Sequence, residues 1–349
     1  MIIENSPELI FTSENDREPG ISAFMRIKNG ADYLEATILS IINQVDEIIC
    51  VFNDCNDNTE NILVELENEY SKIKVYKYIP QVYVMNSEKY LETEENSVHS
   101  FSYYSNFALS KTTKKYCIKI DDDELFFPNI LTKLKNELYK TNNKYSIGIR
   151  GINLVDYKEE LFVNNNDIYT NGSDTIFFKY NNDNKFFKTT NSERFAGPII
   201  NRKEIVFYHT KRCKKDRGIN NYQLDENQKS RYHKINNDYF ENLKLIKFED
   251  YMNEKNLINP INLGFKFINN SVKKYNSSHI NFLEDSIKFD KNILPNNKQE
   301  SVLEINKQES VLNINKQKQP VLTVNNQKQP VLPINNQLLL KLIAKKSNK

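Results

Sequence analysis

Between residues 20 and 120 the chain alternates short apolar runs with helical stripes, and this alternation limits the fold more than any other feature. "ISAFMRI" (21–27) reads as a strand, and "ADYLEATILSIINQ" sets Leu34, Ile38, Ile41 and Ile42 on one helical face. "EIICVF" (47–52) is the next apolar run. After it, "NDCNDNTENILVELENEY" offers Asp57 or Asn58 as a helix N-cap and Ile62, Leu63, Leu66 and Tyr70 as the buried stripe. "KIKVYKYI" (72–79) reads as a third strand, "SVHSFSYYSNFALSKT" (97–112) as a helix and "KYCIKI" (115–120) as a fourth strand. Strands that take turns with helices predict parallel pairing with helices covering the faces, an α/β fold.

The fourth strand runs into "DDDEL". Asp121, Asp122, Asp123 and Glu124 are adjacent, repel one another and resist burial, so they need open water or a bound cation. In open parallel sheets ligands bind beyond the carboxyl ends of the strands. These acids fall at that edge, and "NDCND" (53–57) falls at the same edge after Phe52. Mg2+ and Mn2+ take oxygen ligands, typically one or two carboxylates with substrate phosphate and water. Alternate residues of an extended chain share a face, so Asp121 and Asp123 fit a metal and Asp122 points elsewhere, toward a nucleotide ribose. The competing reading is an acidic cap for a helix starting near Pro128, but four acids exceed what a cap requires.

Composition leaves room for this chemistry and closes other routes. The 349 residues are 39% hydrophobic and 11% aromatic, enough for a core of one large or two modest domains. A formal charge of +2 is too balanced for nucleic acid to be the partner of the whole chain. Cys50, Cys55, Cys117 and Cys213 lack metal-ligand spacing and read as reduced thiols of a cytoplasmic protein. Neither a signal peptide nor an apolar run of membrane-spanning length is expected.

"VDEIICVFNDCNDNTENI" resembles the nucleotide-binding stretch of family 2 glycosyltransferases of GT-A fold, and "SYYSNFALSKTTKKYCIKIDDDEL" resembles the helix and strand leading to their D-x-D motif. "YHTKRCKKDRGINNY" (208–222) is similar to the His-x-Lys loop of the bacterial branch that builds capsule and lipooligosaccharide glycans. The resemblance covers about residues 20–225. It implies a Rossmann-like, mostly parallel sheet flanked by helices, and transfer of a sugar, with inversion, from a UDP-linked nucleotide-sugar to a glycan or glycolipid acceptor. It further implies that Asp121 and Asp123 hold Mn2+ or Mg2+ with His209 completing the shell, while Lys211 neutralises the departing diphosphate. Asn53 and Asp54 would lie near the uracil or ribose, with Asp57 beside them. Many relatives have two acids there, as in V-D-D-G-S, whereas this chain has Phe52 and Asn53 with Asp54 one place later. The cluster Lys211, Arg212, Lys214, Lys215 and Arg217 suits a polyanionic leaving group on its own chemistry.

Inversion needs a carboxylate to take the acceptor's proton. Asp174 in "NGSDTIFFKY" and Glu193 in "NSERFAGP" are the candidates; Asp174 follows an Asn-Gly turn signal, and Glu193 has Arg194 as a neighbour that could pair with it. The expected domains are a catalytic domain at 1–225, a helical extension at 226–295 and a low-complexity tail at 296–349. The tail repeats its Val-Leu pairs from 302, 311, 321 and 331 and carries nine Lys against three Glu. It reads as a disordered slippage repeat or, more sharply, as a peripheral contact with anionic lipid at the inner membrane. Two other function classes compete. A sugar-phosphate nucleotidyltransferase should show a Gly-rich loop near its first strand, where "MRIKNGADYLEA" has only Gly30. A surface adhesin or carbohydrate-binding protein would explain the repeats but not the acids and basic loop.

Overall fold

The structure, a computed structural model, describes residues 1–215 apart from positions 86, 141, 159, 173 and 191, then 234, 237–255 and the two-residue strands Phe267–Ile268 and Ser271–Val272. These lie in the first of two compact units, Met1–Asn306. The tail expected from 296 lies outside the described residues.

The expected alternation is present. Strand β2 (Glu18–Ile27) leads to helix α1 (Leu34–Ile41), β3 (Glu47–Asn53) to α2 (Thr59–Glu69), and β4 (Ile73–Tyr78) through a short α3 (Glu88–Glu92) to α4 (Phe101–Ser110) and β5 (Lys114–Ile120). Pairing is parallel throughout this half, in the order β4-β3-β2-β5. The first strand, β1 (Ile2–Glu4), adds to the outer edge of β4. Sequence reading missed it because three residues with an exposed Ile pair carry no periodic signal.

Both faces of the sheet are covered, so the strands read as unbroken apolar runs. Ala23, Met25, Cys50 and Phe52 pack under α1 and α2 with Leu34, Ile38, Ile41 and Leu63, while Phe24, Ile49 and Val51 face α4 through Tyr104 and Phe107. Each fully buried Leu or Ile contributes on the order of 1.5–3 kcal/mol.

Beyond β5 the chain makes β6 (Glu124–Phe126), helix α5 (Ile130–Lys140), β7 (Ser146–Tyr157), β8 (Glu160–Asn164), β9 (Thr175–Lys179), the small hairpin β10 (Phe186–Lys188) and β11 (Glu193–Phe195), and the long β12 (Ile199–Arg212). The sheet continues β5-β9-β7-β12-β6, with β9 and β6 antiparallel to their neighbours. Three strands thus stand between β5 and β6, although only residues 121–123 connect them. Laid flat, four strand spacings would separate the two by roughly 19 Å. The four peptide steps from Ile120 to Glu124 reach at most about 14 Å. The sheet must therefore curl back so that β6 returns to the end of β5, and the acids form the corner.

Within 226–295, expected as helical, the described part includes a helix at Phe248–Lys255, but Leu245–Lys247 is a strand that pairs with β8. The free edge of β8 offers those residues a hydrogen-bonded ladder that outweighs their local helical pattern. The remainder of that extension lies outside the described residues.

Gly148 on β7 sets where the turn before β9 can lie. A Cβ there would come 2.1 Å from the Gly172 carbonyl oxygen and 2.2 Å from Asn201 Oδ1, whereas a Cβ on Gly172 would meet its nearest neighbour at 3.1 Å. Gly148→Ala should lower stability by about 1–3 kcal/mol in urea unfolding, with Gly172→Ala costing clearly less. Equal midpoints for the two variants would show that this close approach does not matter.

Candidate active site

The carboxyl ends of β2, β3 and β5 are nearly flush: Ile27 pairs with Phe52, and Met25 with Ile120. The 53–57 and 121–124 clusters therefore meet at one edge. Asp54 takes a left-handed backbone (φ 45°), and its carboxylate lies 3.0 Å from Lys28 Nζ. Asn53 is buried, and its amide donates to the carbonyls of Tyr78 (2.7 Å) and Pro80 (2.9 Å). Asp57 accepts from the backbone N–H of Thr59 and of Ala31, each at 3.0 Å, and Thr59 Oγ1 accepts from Gly30 N at 2.8 Å. Asn53 and Asp57, expected against a nucleotide, here hold the β3 edge and the loop between β2 and α1. Asp54 is the one of the three whose carboxylate is exposed.

The four acids of the corner divide by environment. Asp122 and Asp123 are buried, and Lys214, itself buried, bridges them with Nζ 2.9 Å from Asp122 Oδ2 and 2.9 Å from Asp123 Oδ2. Gly30 lies against Asp122 so closely that a Cβ would fall 2.4 Å from Oδ2. Burial and the neighbouring carboxylates push Asp122 up to about 6, despite Lys214. For Asp123 burial works the same way, but Lys214 and His209 outweigh it and hold the carboxyl well below the usual range. Glu124 is pushed well above its ordinary value by burial and by Asp121, and hydrogen-bonds to the Thr175 hydroxyl. Asp121 alone opens to solvent, with 36% of its side chain exposed. Its Oδ1 is 3.1 Å from Lys119 Nζ and 3.7 Å from Arg26, and these cations overcome burial to keep it ionised.

Two expectations are corrected here. Asp122 is buried against Lys214 and Gly30 and is not open to a ribose, because a buried carboxylate seeks the nearest buried cation. Asp121, Asp123 and His209 do not gather round one point: among the described residues no three His, Cys, Asp or Glu side chains are grouped to hold a metal ion. Asp121 has turned to Lys119 and Arg26 instead.

What remains is a pair of donors. His209 Nε2 is 3.4 Å from Asp123 Oδ1, the oxygen that Lys214 leaves open. Two cis ligands on an octahedral Mg2+ at 2.0–2.1 Å would be about 3 Å apart, so the pair fits two positions of such an ion. Substrate oxygens and water would supply the others. The other ring nitrogen, Nδ1, lies 2.7 Å from Asn153 Oδ1.

Asp174 stands at the mouth of this corner with its carbonyl accepting from Lys119 Nζ at 2.7 Å. Its side chain is exposed, yet desolvation in the cleft and the charge of Asp121 push its carboxyl up, against the pull of Lys119, His209 and Lys211. Glu193 is tied to Arg26 and to the Ser105 hydroxyl, so it forms the ion pair foreseen for it, with Arg26 in place of Arg194. That leaves it poorly suited to take a proton. The basic cluster is likewise dispersed: Lys214 serves the acids, Arg212 lies over the Tyr239 ring at 4.4 Å, Lys215 pairs with Asp32, and Arg217 is outside the described residues.

Arg26, Lys119 and Asn153 were missed from sequence, and Lys214, read there as part of a leaving-group cluster, serves Asp122 and Asp123 instead. For the first two a signal existed: a cation inside an apolar run, as in "ISAFMRI" and "KYCIKI", must find a buried anion. Removing the ammonium of Lys214 leaves two buried carboxylates unpaired, so Lys214→Met should cost about 3–5 kcal/mol in urea unfolding. Adding Asp122→Asn should restore part of that loss; an unchanged midpoint in Lys214→Met would dismiss the bridge.

Residues 22–78, which run from β2 through β4, match the family model described as Glycosyl transferase family 2. No curated protein matches the chain. Similar solved structures include S. aureus TarS 1-349, at 16% identity over 68% of this chain and 78% of that one, with a TM-score of 0.37. Another is glucosyl-3-phosphoglycerate synthase from Mycobacterium tuberculosis, at 20% identity over 38% of this chain and 43% of that one, with a TM-score of 0.28. Overlaps this loose say nothing about what this chain binds. The matched segment runs through the parallel half of the sheet from β2 to β4 and includes the 53–57 cluster, so over these residues the chain is similar to the family 2 glycosyltransferases.

Proposed function

We propose that this enzyme transfers a sugar from a UDP-linked nucleotide-sugar to a hydroxyl of a bacterial surface glycan or glycolipid, with inversion and with the help of Mn2+ or Mg2+. The observation that carries this reading is the corner itself: Asp123 beside His209, with the exposed Asp174 near enough to feel the charges of Asp121, His209 and Lys211. The similarity of residues 22–78 to the glycosyltransferase family model supports this reading over the adhesin and nucleotidyltransferase ones. UDP with Mn2+ or Mg2+, found in complexes of the mycobacterial synthase, are the ligands to try first.

Asp123 and His209 would hold the divalent ion, which when bound offsets charge on the departing diphosphate. Asp121, the exposed acid of the four, would accept from hydroxyls of the donor, and Asp54 would face the base or ribose from the neighbouring strand end. Lys211 lies near enough to Asp174 to act on its carboxyl, and its ammonium would offset charge on the departing diphosphate. Asp174 would take the proton from the acceptor hydroxyl as that oxygen attacks the anomeric carbon. A carboxyl lifted above its ordinary value is a better base at neutral pH than an ordinary aspartate, provided it is still ionised there. Among the described residues no helix is long and apolar enough to cross a membrane.

Thermal melts with a panel of nucleotide-sugars test the donor: UDP-sugars with Mn2+ should raise Tm, and a chelator should abolish the rise. Asp174→Asn should lower kcat by about 10²–10⁴ while the donor-induced rise in Tm persists. Full turnover in that variant would remove Asp174 as the base. In Asp123→Asn the metal-dependent rise itself should vanish.

A further inference from the structure

The sheet register places Asn153 of β7 directly beside His209 of β12. Asn153 is buried, and its amide nitrogen donates to both the backbone carbonyl and the Oδ1 of Asp167, each at 3.2 Å. Both partners can only accept, which fixes which way the amide is turned. Its oxygen must then face His209 Nδ1, 2.7 Å away, and an amide oxygen can only accept. Nδ1 therefore carries the proton. In a neutral imidazole the other nitrogen, Nε2, is then bare, and it points at a carboxylate oxygen of Asp123 that offers lone pairs of its own, 3.4 Å off.

We propose that Asn153, anchored by Asp167, is a positioning residue that holds His209 in the Nδ1–H tautomer and so turns the Nε2 lone pair to the cation seat beside Asp123. The inference rests on the reading of that seat as a metal site, and it extends it to two residues that would never touch the ion. Without Asn153 the imidazole is free to take the Nε2–H form, donate to Asp123 and close the seat from within. The contact would then be a hydrogen bond between two protein groups, with no lone pair left for an ion. A histidine ligand held through its far nitrogen binds more tightly because its orientation and tautomer are set in advance.

The protein has four histidines, so ring signals in a long-range 1H–15N spectrum can be assigned by the peak missing in His209→Gln. In the metal-free protein, at a pH where the ring is neutral, His209 should show the Nδ1–H pattern. Asn153→Leu should convert it to the Nε2–H pattern, and Asn153→Asp, which keeps an acceptor at the same place, should preserve Nδ1–H. The Mn2+ concentration needed to broaden the His209 signals should rise about 10- to 100-fold in Asn153→Leu and much less in Asn153→Asp. An Nε2–H ring in the wild-type protein overturns the proposal, whatever the metal does, and requires no variant to fold. Failure of Mn2+ to broaden His209 in a wild-type protein with the Nδ1–H ring would instead count against the metal reading alone.

Discussion

The shortness of the link between β5 and β6 governs this structure. Three residues close a gap that a flat sheet would make too wide, so the sheet curls and brings the end of β12 over the end of β5. The link has no slack to loop outward into water. Its side chains must point either into the corner or into the cleft, and three of the residues from 121 to 124 are forced inside. Burial of that many carboxylates is tolerable only because each finds its own remedy. Asp122 and Asp123 share a lysine, Glu124 is pushed toward its neutral form, and Asp121 stays at the surface between Lys119 and Arg26.

This division of labour explains why adjacent acids can have different chemistry. An unpaired buried carboxylate costs several kcal/mol, so the protein leaves open only those oxygens that another group will engage. Asp123 has one oxygen on Lys214 and one facing His209; Asp121 has one on its cations, and its side chain is partly open to solvent. The metal reading proposed above requires no larger a donor set, since such an ion would carry its remaining ligands in with the substrate.

The parallel half was legible in the sequence because period and burial agree there: Leu34, Ile38 and Ile41 lie fully buried on α1, and Leu63 and Leu66 on α2. The edge was legible for the same reason, since polar clusters after Phe52 and Ile120 had to fall at the strand ends. The second half was not. β7 and β12 are long strands whose partners are set by the curl, and no local pattern announces that His209 will stand between Glu124 and Asn153. Site roles failed where they depended on long-range pairing. Glu193 was read beside Arg194, its chain neighbour, yet its cation comes from β2, 167 residues earlier. Strand alternation would turn Asp122 to the strand-end edge, but residues 122 and 123 form a turn, where that rule does not apply.

The loop between β2 and α1 is held from two sides. Asp57, Thr59 and Cys55 bind it from the β3 edge, through Ala31, Gly30 and Asn29. From the other side, Asp32 accepts from Lys215 N and the Tyr33 hydroxyl donates to the Cys213 carbonyl, both just past β12. The six residues of this loop thus act as a rivet between the parallel half of the sheet and the half that carries His209. Neither half can open without pulling on the other, and heat should melt the described body in one calorimetric transition, with no stage at which half of it stands alone.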